Sequence, residues 1–146
     1  MTEPIEHFTD LRVWKIAHRL FIDLCEDLAE ARTSVAGAVI AEQVLRSTGS
    51  IGANIAEEFG RTQRKFANGL DIAFGEANET ENWLYKLRDL ELLPAQTASE
   101  RLRAVLGLEK MLRSLRAEIL RNPDAVREEE ATYELPEESI DLPESG

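Results

Sequence analysis

Residues 50–61 read SIGANIAEEFGR and lie within a longer segment whose apolar side chains recur at helical spacing. Ile51 and Ile55 stand four residues apart, as they would on one face of a helix. Glycine inside a helix costs up to about 1 kcal/mol relative to alanine, so the small residues here need a compensating role. Gly60 stands where a left-handed glycine commonly ends a helix. The segment therefore predicts the end of a helix, followed by a turn at Gly60.

Close helix packing would offset the cost of glycine, and the spacing of the small residues favours it. Small side chains recur every four positions along this helix. They therefore line up on one face, which another helix can approach closely. The predicted packing positions are Gly49, Gly52, Ala53, Asn54 and Ala56. The side chain of Asn54 either forms a hydrogen bond across that contact or is exposed to solvent, and the sequence does not decide between these two alternatives.

Three further helical patterns flank this one. The predicted helices cover residues 10–30, 38–59, 63–92 and 97–121. Thr9, Thr62 and Thr97 are placed to cap the first, third and fourth helices, the last within the capping box TASE. Pro94 is placed to end the third helix. Because strand and hairpin signals are nearly absent, these helices and their short loops predict an all-α fold, an up-down-up-down antiparallel four-helix bundle.

Acidic charge is concentrated at the C-terminus. The chain of 146 residues has a formal net charge of −11, and its last 25 residues hold nine acids and one base. The predicted organisation is a bundle over residues 1–121 and an acidic, mostly disordered tail over residues 122–146. No apolar run is long enough for a membrane span, the N-terminus lacks a signal peptide's apolar core, and Cys25 is the single cysteine. A cytoplasmic location is therefore expected, without membrane association.

Catalytic patterns are weak. A di-iron bundle requires Glu-x-x-His pairs on two helices, and neither His7 nor His18 follows a glutamate at that spacing. Cys25 occupies an apolar helical position, where an inert thiol is usual. Gly49 and Gly52 lie within a helix and do not form a phosphate-binding loop. We therefore predict a non-enzymatic protein that uses no cofactor and no metal.

Basic residues offer a stronger binding signal. Three of them crowd the start of the third helix, where free backbone N–H groups already attract anions, and the fourth helix is basic along its length. The candidate contacts for a phosphate, a carboxylate or RNA are Arg61, Arg64, Lys65, Arg113 and Arg116. The alternatives are neutralisation by Glu57 and Glu58, by the acidic tail or by water.

Three segments together resemble the 23S rRNA intervening-sequence family of four-helix-bundle proteins. They are DLRVWKIAHRL at residues 10–20, QVLRSTGSIGANIAEEFGR at residues 43–61 and FANGLDIAFGEANE at residues 66–79. The resemblance spans roughly residues 8–121 in the expected order. The sequence departs from the family pattern at Leu45, Glu58 and Glu76, where the family usually has arginine, glycine and serine, and each departure makes the local charge more negative.

The resemblance implies a four-helix bundle that assembles into a ring-like homopentamer. Wide apolar arcs on the first and third helices agree with an oligomer independently of the resemblance. A related group of retroelement accessory proteins binds a reverse transcriptase and nucleic acid through a basic surface. The leading prediction is therefore a homo-oligomeric, non-enzymatic scaffold for a protein or RNA partner. The alternative is a nucleic-acid-binding accessory factor that uses the basic residues.

Overall fold

Four α-helices make up almost all of the computed structural model, which describes residues 4–122. The helices are α1 (Arg12–Asp27), α2 (Val35–Glu58), α3 (Gln63–Asp89) and α4 (Ala95–Arg121). Short 3-10 helices precede α1 and connect it to α2. Each helix packs against the next in sequence, and α1 packs against α4 to close the bundle. The predicted all-α four-helix bundle is confirmed, whereas the predicted acidic tail lies, apart from Asn122, outside the described residues.

The core follows the helical periodicity of the sequence. Leucine, isoleucine, valine and alanine side chains at three- and four-residue spacing turn inward from all four helices. The largest fully buried side chains are Leu11, Leu24, Leu28, Ile51, Ile55, Leu70, Leu84, Leu87, Leu102, Leu108, Leu112 and Leu115. Each fully buried aliphatic side chain contributes about 1.5–3 kcal/mol, so this core is the main driving force for folding. Within residues 4–122, no helix combines the length and hydrophobicity that crossing a membrane requires.

The first helix begins later than the sequence suggested. Thr9 lies inside the 3-10 helix Phe8–Asp10, which His7 caps, and α1 starts at Arg12. The carboxylate of Asp10 accepts the backbone N–H groups of Glu6 and His7, both at 3.0 Å. These bonds lower the pKa of Asp10. They also satisfy the backbone N–H groups of Glu6 and His7, and the predicted cap by Thr9 at the start of α1 is absent.

The second helix begins three residues earlier than predicted. The Ser34 hydroxyl accepts the backbone N–H of Gly37 at 3.0 Å, which caps the helix at Val35. A Cβ atom at position 37 would lie 1.8 Å from the carbonyl oxygen of Ala31. Only glycine therefore fits where the chain turns tightly into α2. The segment between the first two predicted helices, residues 31–37, therefore already contains this helix start.

The connection from α3 to α4 also differs from the prediction. The helix α3 ends at Asp89, and Glu91 takes the left-handed conformation with φ = 56°. The N–H of Leu92 donates to the carbonyl of Leu87 at 2.9 Å, and that of Glu91 to Arg88 at 3.0 Å. These two bonds form a Schellman motif. This motif, and not Pro94, therefore ends the helix.

The fourth helix begins directly after that turn. Pro94 stands at its N-cap position, and α4 starts at Ala95. Thr97 and Glu100 therefore lie inside α4, and the predicted capping box TASE is not its start. At the opposite end of α3, the predicted cap is present, because the hydroxyl of Thr62 accepts the N–H of Lys65 at 3.2 Å.

Polar contacts fix how the helices lie against one another. At the centre of the α2–α3 contact, the hydroxyl oxygens of Ser47 and Thr80 lie 2.8 Å apart. Between α1 and α4, Arg101 binds both carboxylate oxygens of Asp27, at 2.5 and 3.2 Å. The hydrogen bond to Asp27 raises the pKa of Arg101. At one end of the bundle, the amide of Gln63 donates to two backbone carbonyls in the last turn of α4. The start of α3 is thereby held beside the end of α4.

Candidate functional site

An apolar groove runs along the surface between α1 and α2. Its volume is about 340 Å³. We call it the α1–α2 groove, and its lining consists of Trp14, Ala17, His18, Phe21, Ile22, Thr48, Gly49, Gly52 and Ala53. Aromatic rings from α1 form one wall, and the small residues of α2 form the other. Trp14 and Phe21, which belong to the wide apolar arc predicted for the first helix, therefore face this groove.

The glycines of α2 face the aromatic rings of α1 at ordinary contact distance. A Cβ atom at Gly49 would lie 3.4 Å from a ring carbon of Phe21, and one at Gly52 would lie 3.5 Å from the indole nitrogen of Trp14. His18 stacks on Trp14 with ring centroids 4.7 Å apart and an interplanar angle of 11°. Side chains of normal size on α2 would fill the space beside these rings. The small residues therefore keep the groove open.

The other predicted packing positions have different environments. Ala53 is exposed at the edge of the groove, and Ala56 is half-buried. The side chain of Asn54 donates to the carbonyl of Ser50, one turn earlier in α2, at 2.8 Å. It therefore neither bridges two helices nor simply faces solvent, the two roles left open by the sequence. Gly60 has φ = 78° and turns the chain between α2 and α3.

A closer contact between helices lies at Gly69 of α3, which packs against α2. A Cβ atom at Gly69 of α3 would come within 2.8 Å of the Cβ of Glu58 and within 2.9 Å of the carbonyl oxygen of Asn54. Sequence reasoning missed Gly69 as a packing position. The signal was its spacing, because Gly69 lies three residues after Phe66 and four before Ala73 on the core face of the helix.

Apolar side chains also stand exposed at the first turns of α2. Val35 is 86% exposed and Val39 is 58% exposed, although both are aliphatic. Ile22, at the outer edge of the α1–α2 groove, is 39% exposed. Exposed apolar groups clustered on one side of a molecule are typical of interaction surfaces. Ile22 thus protrudes at the edge of the groove, whereas the two valines protrude at the N-terminal end of α2.

The predicted basic residues lie at or near one end of the bundle. Arg61, Arg64 and Lys65 are exposed around the start of α3, and the contact of Gln63 with the last turn of α4 brings this segment close to the end of the helix that carries Arg116. The structure thus collects basic side chains from two distant parts of the sequence.

Three of these basic groups have partners within the chain. Arg61 lies 4.0 Å from a carboxylate oxygen of Glu58. Arg116 lies 3.7 Å from Asp71, and the guanidinium of Arg113 sits 5.5 Å from the centroid of the Phe74 ring. Glu58 therefore provides part of the neutralisation that the sequence analysis left as an alternative. An external anion would compete with these existing partners at all three arginines.

A carboxylate pair lies between α3 and α4, and the sequence analysis did not single it out. The hydroxyl of Tyr85 donates to Glu81 at 2.5 Å, and Glu81 of α3 is the acidic neighbour of Glu109 on α4. Burial, followed by hydrogen bonding to Glu81 and the charge of Glu81, raises the pKa of the Glu109 carboxyl to about 9. Burial, together with the bond to Glu81, also raises the pKa of Tyr85. At neutral pH the Glu109 carboxyl is therefore protonated.

The remaining candidates for chemistry are scattered. His7 caps the 3-10 helix before α1, His18 lines the groove, and Cys25 is half-buried on α1. Among residues 4–122, no group of three histidine, cysteine or acidic side chains is arranged to hold a metal ion. These side chains do not form a shared site with a nucleophile and a base.

The sequence over residues 9–114 matches the family model described as the 23S rRNA-intervening sequence protein. The chain belongs to the 23S rRNA-intervening sequence protein family. The predicted family is thereby confirmed. The match begins at the 3-10 helix before α1 and ends within α4, so it includes both walls of the α1–α2 groove.

A solved structure is similar to this member of the 23S rRNA-intervening sequence protein family. It is a protein with unknown function from the S23 ribosomal protein family of Bacteroides thetaiotaomicron. Its sequence is 31% identical, the alignment covers 70% of this chain and 96% of that one, and the TM-score is 0.65. No curated protein matches the sequence. The relatives thus support the fold and the family without assigning an activity.

Proposed function

We propose that this protein is a non-enzymatic, self-associating scaffold, and that copies of it assemble, as a ring-like pentamer, through the α1–α2 side. The observation that carries the proposal is the apolar groove of about 340 Å³, together with the exposed valines at the start of α2. In a monomer these surfaces would face water, which costs roughly 25 cal/mol per Å² of apolar area. Self-association buries them.

The α1–α2 side suits an interface better than a catalytic site. Its walls are apolar and aromatic, and its polar groups are few, as in the buried centre of protein interfaces. Small residues along α2 leave room for side chains of a neighbouring copy. The assembled protein would then present the remaining surfaces, including the basic end of the bundle, in several copies to a protein or RNA partner.

Light scattering coupled to size-exclusion chromatography tests self-association. At micromolar concentration we expect the mass of a pentamer for the natural protein and a large loss of assembly for Ala53→Glu, which places a charge at the edge of the groove. The matched control is Ala117→Glu, since Ala117 is exposed on α4, and its mass should equal that of the natural protein. A natural protein that remains a monomer at micromolar concentration would refute the proposal.

Nucleic-acid binding is the second candidate. The exposure of Arg64 and Lys65 at the start of α3, where helix N–H groups favour anions, supports it. If RNA binds there, its affinity should fall steeply with salt, and removal of residues 122–146 should strengthen it by removing acidic charge. Fluorescence anisotropy with a short RNA measures both effects. An affinity that is independent of salt in the full and shortened chains would eliminate this candidate.

A further inference from the structure

The start of α3 and the end of α4 together form a basic surface. The side-chain amide of Gln63 donates to the carbonyls of Ile119 and Leu120 at 2.6 and 2.9 Å, so the two helix ends lie side by side. Exposed basic side chains from both helices surround this contact. We call them the basic end, and they are Arg61, Arg64, Lys65, Arg116 and Arg121.

The cations of the basic end differ in their partners. Among residues 4–122, no carboxylate forms an ion pair with Arg64 or Lys65. Both stand in the first turn of α3, where the helix dipole also attracts negative charge. The other three cations each have one carboxylate partner, and these pairs are Arg61–Glu58, Arg116–Asp71 and Arg121–Glu118. Arg64 and Lys65 are therefore the part of the surface that lacks a counter-charge.

The same chain supplies an acidic segment next to this surface. The last 25 residues, 122–146, hold nine acids and one base. Three of the acids are consecutive, at Glu128, Glu129 and Glu130. The acidic tail thus has an excess of negative charge, whereas Arg64 and Lys65 have no negative partner in the described part of the chain. Charge complementarity favours the tail as the occupant of the basic end.

The point of attachment favours the tail as well. Asn122 directly follows the last turn of α4, whose carbonyls bind Gln63. Packed helices lie about 8–10 Å apart, and the six residues from Asn122 to Glu128 span up to about 20 Å when extended. A short tether of this kind keeps the acids at an effective concentration on the order of millimolar around the basic end.

Bases at the opposite end of the bundle are much farther from the tail. Arg32 follows α1 and Lys86 lies in the last turn of α3. The helix α4 has 27 residues, which corresponds to about 40 Å between the two ends of the bundle. The Nζ of Lys86 also already donates to the side chain of Asn82 at 2.9 Å. Distance therefore separates these bases from the carboxylates that can reach Arg64 and Lys65.

We propose that the acidic tail docks on the basic end of its own chain, with Glu128–Glu130 against Arg64 and Lys65, and thereby competes with other anions for this surface. Ion pairs at an exposed surface are individually weak and are screened by salt, so an external polyanion can displace the tail. Its apparent affinity is lowered by the fraction of chains in which the tail is docked. The inference goes beyond the proposed self-association and does not require it.

Lysine acetylation of the full chain tests the docking without any added ligand. Only the neutral amine reacts, so a carboxylate that holds the ammonium group of Lys65 slows its acetylation. Neutralisation of the run by Glu128→Gln, Glu129→Gln and Glu130→Gln should raise the labelling rate of Lys65 about threefold or more, as release from a mostly docked state predicts. Mass spectrometry measures the rate at each lysine, and Lys86 in the same chain should label at an unchanged rate.

A matched variant and added salt complete the comparison. Glu26→Gln, Glu30→Gln and Glu42→Gln remove the same charge at exposed positions outside the tail and should leave the rate at Lys65 unchanged. At about 1 M salt, where the Debye length is about 3 Å, Lys65 of the natural protein should react as fast as in the neutralised variant. Equal rates at Lys65 in these two proteins at low salt would overturn the docking, as would an equal increase in the matched variant.

Zero-length cross-linking identifies the chain that provides the tail. A carbodiimide should join Lys65 to Glu128, Glu129 or Glu130, and unlabelled and ¹⁵N-labelled chains that are refolded together should give cross-linked peptides of a single isotope. Cross-links of mixed isotope would mean that a neighbouring copy supplies the tail, and the absence of any cross-link between Lys65 and the tail would also refute the proposal.

The outcome is distinguishable from the failure of either proposed function. Neither measurement contains RNA, so an RNA affinity that is independent of salt eliminates RNA binding and leaves the docking result standing. A monomeric natural protein likewise refutes self-association without changing the labelling rate expected at Lys65.

Discussion

Gly69 of α3 lies so close to Asn54 of α2 that a Cβ atom added to the glycine would stand 2.9 Å from the asparagine's carbonyl oxygen. That oxygen belongs to the backbone of a helix, so it cannot move aside as the end of a flexible side chain would. Close approach at this point also brings the hydroxyls of Ser47 and Thr80 within hydrogen-bonding distance farther along the same pair of helices. Gly69 thus sets the spacing of the α2–α3 contact.

Replacement of that glycine should therefore destabilise the bundle. We expect Gly69→Ala to lower the free energy of unfolding by about 1–3 kcal/mol, as overpacking in a core does, even though alanine favours helices. Gly75 is the matched control, because it lies on the same helix and no atom would come within 4 Å of its added Cβ. Gly75→Ala should raise stability by up to about 1 kcal/mol. Urea denaturation measures both, and equal effects of the two substitutions would contradict the close contact.

The left-handed residue after α3 offers a stabilising substitution. Glu91 has φ = 56°, a conformation that costs non-glycine residues roughly 1–2 kcal/mol. Glu91→Gly should raise the free energy of unfolding by about 0.5–1 kcal/mol after the added flexibility of the unfolded chain is subtracted. Thermal and urea denaturation check the result. Glu91→Ala removes the same side chain without relieving the backbone, so a comparable gain for alanine would mean that the side chain and not φ is responsible.

The bundle itself was predictable because core residues obey one rule along the whole chain. Apolar side chains at helical spacing turned inward on every helix, and Thr62 and Gly60 marked the start of α3 and the end of α2 as expected. Helix ends without a standard signal were missed. At Glu91, tertiary packing and a Schellman motif impose a conformation that the residue type does not favour, so the sequence carries no local mark of it.

The surfaces were less predictable than the core. The sequence located the small residues of α2 and predicted close helix packing for them, but it did not reveal that Gly49 and Gly52 line a groove, because that depends on the rotation of α1 about its own axis. Gly69 was overlooked because its role depends on the partner atoms of α2. Glu81 and Glu109 are 28 positions apart in the sequence, and only the α3–α4 contact makes them a pair.

Stability should depend on pH through Glu109. Burial and the neighbouring Glu81 raise its pKa from 4.5 to about 9, so folding takes up a proton between those values. The contribution of this group is fully present below about pH 4.5 and is lost as the pH rises toward 9. The other groups at this contact are Tyr85, which bonds Glu81, and Arg88, whose guanidinium lies 5.1 Å from the Tyr85 ring.

Glu109→Gln should remove most of this dependence, because an amide stays neutral at every pH. Compared with the natural protein, the variant should lose less stability between pH 5 and pH 9, and it should be the more stable of the two at the upper end. Urea denaturation at several pH values measures the difference. Glu26→Gln, at an exposed position on α1, is the control and should follow the natural profile. Parallel profiles for all three proteins would show that Glu109 is ionised in the folded state.

The buried hydroxyls between α2 and α3 lead to the last prediction. Thr80 is completely buried, and its oxygen lies 2.8 Å from that of Ser47 and 3.3 Å from that of Thr48. Both α2 hydroxyls also donate to the carbonyl of Val44, so the loss of Thr80 leaves their protons satisfied. The Thr80 hydroxyl in turn lies within hydrogen-bonding distance, 3.0 Å, of the carbonyl of Glu76 on its own helix. Thr80→Val keeps the shape of the side chain and removes the hydroxyl that links the helices, while the Glu76 carbonyl keeps the backbone hydrogen bond of the helix.

The cost of Thr80→Val should therefore be moderate, about 1 kcal/mol in the free energy of unfolding, which is typical of one intramolecular hydrogen bond. Ser47→Ala should cost a similar amount, and the double variant should cost less than the sum, since both changes remove the same contact. Thr97→Val, at a half-buried position on α4, is the matched control and should change stability by less than about 0.5 kcal/mol. Strict additivity of the first two changes would mean that Ser47 and Thr80 do not stabilise the α2–α3 contact through each other.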